Sequence, residues 1–97
     1  MKLELKERIL FNLLSHGYVG KKHTPLVNAC KGFPKHEVDQ VKGEIHNLVT
    51  GGYLVLKPTG HGLDVSINPQ RLSEIKKLPG MRKIIEMNPY IKGRFNF

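Results

Sequence analysis

Leu5, Ile9, Leu10, Leu13 and Leu14 recur at helical intervals, and Gly17 follows where a helix end needs a left-handed residue. This pattern predicts a first helix over about residues 3–15. Leu3 and Phe11 widen its apolar surface beyond one core-facing stripe, so a second face needs a cover. Residues 18–23, YVGKKH, lack the helical period and open with two strand-favouring side chains, which predicts a brief strand. Thr24 and Pro25 then read as N-cap and first residue of a short second helix. Its inward side chains are Leu26, Ala29, Cys30 and Phe33, and Gly32 ends it. Pro34 likewise opens a third helix that reaches Thr50, with Val38, Val41, Ile45, Leu48 and Val49 as its stripe. Two helices joined across a short turn containing glycine are the sequence form of a helix-turn-helix.

Beyond Gly51 and Gly52 the apolar period changes from helical to two. Residues 53–57 and 63–67 are predicted strands of a hairpin around PTGHG. Leu63, Val65 and Ile67 share one face and Asp64, Ser66 and Asn68 the other, which predicts a hairpin apolar on one side only. A lone hairpin is marginal in water, so that side must lie on the helices, and the strand near Tyr18 supplies a third member. Asn68 and Pro69 cap and open a further helix carrying Leu72, Ile75 and Leu78. Pro79 and Gly80 break or kink the chain before a second helical stretch with Met81, Ile84 and Ile85. The final NPYIKGRFNF interleaves Tyr90, Phe95 and Phe97 with Lys92 and Arg94; it reads as a frayed terminus or a docked strand, although aromatics among cations can also stack on unpaired bases. The C-terminal helices have a partner in the second face of the first helix, within the chain or across a two-fold axis. The latter predicts a homodimer.

Helix, strand, helix, turn, helix, hairpin is the order of the winged-helix family, and residues 3–68 resemble that family in pattern and order. The closest local match is the third helix running into GGYLVLK. Gly52, Tyr53 and Leu54 stand where many winged-helix regulators have a glycine, a bulky residue and an aliphatic one. The small size and lysine-rich composition are similar to prokaryotic or archaeal members. The resemblance implies an α+β fold: a winged helix-turn-helix domain over residues 1–68, with a three-helix core and a β-hairpin wing. Residues 69–97 are then a C-terminal helical extension that dimerises or completes the core. It also implies a transcriptional regulator that binds double-stranded DNA, with the third helix in the major groove and the wing beside the backbone or minor groove.

The side chains agree with that expectation in part. With the apolar stripe inward, His36, Asp39, Gln40, Gly43 and Asn47 point outward, flanked by Lys35 and Lys42. Gln40 and Asn47 can make paired contacts to adenine edges, and Gly43 lets backbone approach closely. The 97 residues include 16 lysines and arginines against 8 acids, a net charge of +8 that favours a polyanionic partner. Lys21, Lys22, Lys31 and Lys35 fall in one acid-free stretch, with Lys57, Thr59 and His61 on the wing, so these residues are the expected phosphate contacts. Helix N-termini at Pro25 and Pro34 add backbone donors. The third helix itself carries Asp39 and Glu44, which repel phosphates. A protein-interaction adaptor is therefore the rival reading, and an RNA-associated protein the third.

Other chemistry finds little support. Cys30 is the only cysteine, which excludes an internal disulfide framework and multi-cysteine zinc ligation, and burial explains it better than a metal shared with His36. The 5 histidines show no paired ligand spacing. No phosphate loop, nucleophile elbow or carboxylate pair is visible, so neither an enzyme nor a cofactor is expected. No apolar run approaches a secretion signal or a membrane span, which predicts a cytoplasmic protein.

Overall fold

The computed structural model describes residues 3–94. Helix α1, Leu5–Ser15, buries Ile9, Leu10, Leu13 and Leu14 as its spacing predicts. It starts two residues later than expected because Glu7, in its first turn, folds back and accepts from Glu4 N–H at 2.9 Å. At its other end Gly17 adopts φ +76°, and the Gly17 and Tyr18 amides donate to the Leu14 and Leu13 carbonyls. Helix α3, Val38–Thr50, ends identically: Gly52 has φ +84°, and the Gly52 and Tyr53 amides donate to Val49 and Leu48. Both are paired-bond caps that need a left-handed residue.

Strands β2, Leu54–Thr59, and β3, Gly62–Ile67, form the hairpin, and the sheet is completed by β1, Thr24–Pro25. The order is β1-β3-β2, antiparallel throughout. The third strand thus lies at 24–25 and not at 18–23. Residues 18–20 only cross the end of β3: Ile67 N–H donates to Tyr18, Gly20 N–H donates to Ile67, and Val19 faces Ile67 in a single parallel bridge. The chain must turn back before it can run antiparallel along β3. Thr24 is consequently a buried ladder residue opposite Val65, and Pro25 takes the capping position of α2, Leu26–Cys30. Pro34 is also a cap and not a first helical residue. Its extended backbone leads into a 3-10 turn, Lys35–Glu37, before α3 begins.

The hairpin strands run further than the pattern suggested, to a two-residue turn of Gly60 and His61. Thr59 makes this possible by accepting from His61 N–H and donating to the Gly62 carbonyl, both at 3.2 Å. The one-sided hairpin is also corrected. Strand β3 is central, and Asp64 and Ser66 are buried along with Val65 and Ile67. His23 Nδ1–H satisfies the Asp64 carboxylate at 2.6 Å, so the polar face is covered by the loop that precedes β1. Leu63, expected inward, is 45% exposed near the hairpin tip.

Asn68 caps a 3-10 turn, Pro69–Arg71, as expected, its Oδ1 accepting from Gln70 N–H at 3.0 Å. Three short helices follow where two were predicted: α4, Leu72–Lys77; α5, Pro79–Glu86; and α6, Pro89–Arg94. Prolines open α5 and α6, where a missing amide is harmless. The stretch read as a frayed or strand-like tail is α6 up to Arg94, with Ile91 buried; Phe95 and Phe97 lie outside the described residues. Ile75, Met81, Ile85 and Ile91 join the same hydrophobic cluster as α1, α3 and β3. Part of the second face of α1 is covered by α5 within the chain: Leu3 lies against Gly80, and the buried Glu7 accepts from Gly80 N–H at 2.7 Å through its other oxygen, while Phe11 is half-buried and lines an open groove with Phe33.

A side chain at position 80 has no room, because its Cβ would stand 2.6 Å from Leu3 Cδ2 and 2.7 Å from both Glu7 oxygens. Gly80→Ala is expected to cost about 1–3 kcal/mol through overpacking and displacement of the Glu7 carboxylate. The urea midpoint should fall with an unchanged slope.

Candidate functional site

Helix α3 presents a polar strip. Gln40, Gly43 and Asn47 are spaced three and four residues apart, and all are exposed, while Val41, Ile45 and Leu48 hold the opposite face in the core. His36 and Asp39 are exposed at the start of this segment. Above Gly43 no heavy atom lies within 4 Å of where a Cβ would stand, so the helix backbone is open to an approaching surface.

Beside the start of α3, the hairpin tip faces α2 across an open cleft of about 610 Å³. Lys31, Lys35, Lys42 and His61 line it together with Leu26, Val27, Cys30, Phe33, Val38 and Leu63. None of the three lysines forms an ion pair with a carboxylate among the described residues. The nearby Glu37 is engaged instead by Arg8 at 3.8 Å, and Arg8 also lies 4.9 Å over the Phe33 ring. Burial pushes the Cys30 thiol up from its ordinary value, and the Lys42 ammonium pulls the other way. The charge of Lys42 is thus felt at the floor of the cleft.

The expected site residues separate into groups. Lys31, Lys35 and His61 meet at the cleft, and Lys42, seen in the sequence only as a flank of the strip, belongs with them. Lys21 and Lys22 are exposed on the loop before β1, where Lys22 lies 5.6 Å over the Tyr18 ring. Lys57 is half-buried and stands opposite Asp64 in the ladder, while Thr59 is spent on the hairpin turn. The backbone donors expected at Pro25 and Pro34 are reduced, since α2 has only 5 residues and Pro34 opens a 3-10 turn that uses the Glu37 amide internally.

No family model, curated protein or solved structure matches this chain.

Exposed amides on a helix, with unpaired cations beside it, can hold a polyanion and read hydrogen-bonding edges. The apolar floor between those cations was missed in the sequence. Val27, outside the expected inward set of α2, is 63% exposed, and Leu63, expected inward, is 45% exposed. Among the described residues no three histidine, cysteine or acidic side chains cluster as a metal site, and no helix is long and apolar enough to cross a membrane.

The Cys30 environment gives a direct check on the cleft. Its alkylation rate should reach half-maximum at a higher pH than that of an unstructured cysteine, since burial favours the neutral thiol. Lys42→Met should move the midpoint higher still, because the ammonium that favours the thiolate is gone. An unchanged or lower midpoint would show that Lys42 does not act on the cleft.

Proposed function

We propose that residues 3–68 form a winged helix-turn-helix unit that binds double-stranded DNA in a transcriptional regulator. Helix α3 enters the major groove, and the β2–β3 hairpin is the wing beside the backbone. The element order and the sheet order β1-β3-β2 support the fold part of this reading. The functional part rests on one observation: the exposed strip of Gln40, Gly43 and Asn47 lies on the same helix whose start is flanked by Lys31, Lys35, Lys42 and His61. Gln40 and Asn47 can each pair with adenine N6 and N7, and Asp39 can accept from a cytosine amino group. The lysines supply the sequence-independent attraction to phosphate. An adaptor role is the second reading, favoured by Asp39 and Glu44 on α3, which oppose any polyanion.

A duplex titration at several salt concentrations tests this directly. If about six phosphates are neutralised, the log-log slope of affinity against salt is about −5, and Lys35→Ala reduces it by about one. A slope near zero would remove the DNA reading.

Gly43→Ala separates the helix from its surroundings. Because the position is open, alanine should stabilise the folded protein by roughly 0.5–1 kcal/mol through helix propensity. Duplex affinity should nevertheless drop, since the methyl stands between backbone and groove. Equal or better binding by this variant would take α3 out of the groove.

A further inference from the structure

The cleft between α2, the start of α3 and the hairpin tip combines features that phosphate binding alone does not need. Its floor is aliphatic and aromatic, from Leu26, Cys30, Phe33 and Val38, and its two walls expose Val27 and Leu63. Its lining has no acidic side chain: the charged groups are the Lys31, Lys35 and Lys42 ammoniums, and the His61 imidazole stands at the tip. A DNA backbone would leave Val27 and Leu63 against charge and water, and a neutral hydrocarbon would leave the ammonium groups partly desolvated without a partner. A ligand with one anionic head and an apolar body satisfies both parts at once. The volume, about 610 Å³, lies within the ~300–1,000 Å³ range of small-molecule sites.

We propose that this cleft binds a free monocarboxylate amphiphile, a medium-chain fatty acid or a compound of that chemistry, with its carboxylate among the three lysines and its hydrocarbon on the floor between Val27 and Leu63. The assignment does not rest on the DNA reading. It has a consequence for that reading, because the bound carboxylate occupies the cations assigned to phosphate and the ligand would release DNA.

The probe is decanoate below its micelle concentration, titrated into the whole protein without DNA and followed by amide and methyl NMR shifts. Saturable shifts should centre on Val27, Leu63 and Cys30, and decanol or decyltrimethylammonium should bind at least several-fold more weakly. Lys35→Gln and Lys42→Gln should each weaken decanoate on the order of threefold, the size of an exposed ion pair. Val27→Asp, at an exposed position that leaves the core intact, should weaken it about tenfold or more by placing a carboxylate in the wall and removing apolar contact. An unchanged thermal midpoint verifies that the variant is folded. Equal binding of decanoate and decanol, shifts centred elsewhere, or full affinity in Val27→Asp would overturn the assignment. So would saturable binding of an acidic amphipathic peptide, or of anionic vesicles, by a protein that ignores decanoate. Loss of duplex binding in the salt titration has no bearing on these outcomes, so the two readings fail separately.

Discussion

Strand β3 has to be satisfied on both edges and both faces, and the arrangement of the molecule follows from how that is done. One edge takes β2 through a tight hairpin, and the other takes the two residues of β1. Helix α1 packs on this strand, whose Val65 and Ile67 are completely buried. The opposite face carries Asp64, which is tolerable in the interior only because His23 donates to it. The loop that brings His23 there must run from the glycine cap of α1 across the end of β3 and back. That path leaves Lys21 and Lys22 outside and sets the start of α2.

The same strand decides where the hairpin tip lies. With β3 held along its length, His61 and Leu63 are delivered to the mouth of the cleft opposite α2, and the turn between Gly60 and His61 is too short to let them wander. Lysines from the residue after α2, the following turn and α3 then line the cleft with no acid among them. Glu37, the acid nearest Lys35 in sequence, pairs instead with Arg8 on α1 at 3.8 Å.

Elements governed by neighbours in sequence were legible beforehand. The stripes of α1 and α3, their glycine ends and the Asn68 cap all depend on residues within one or two turns. Elements governed by distant partners were not. Strand β1 is only two residues long and exists because Val65 and Asp64, some forty positions away, offer an edge, so no local period announces it. Asp64 and Ser66 alternate like solvent-facing residues, and nothing nearby reveals that both will be buried, with His23 donating to Asp64. The outward strip of α3 followed from its stripe, since helical geometry fixes one face once the other is assigned. The cleft was invisible because separated segments make it, and its exposed Leu63 alternates with Val65 and Ile67 like a core residue.

Glu7 joins the beginning of the chain to its last third: one oxygen holds the first turn of α1, and the other holds the start of α5. Removing the chain after residue 78 would take away the Gly80 partner of that carboxylate and the core residues Met81, Ile85 and Ile91. The N-terminal helices and the C-terminal ones should consequently melt in a single cooperative transition. A recombinant fragment stopping at residue 68 would then be a poor surrogate for the whole chain.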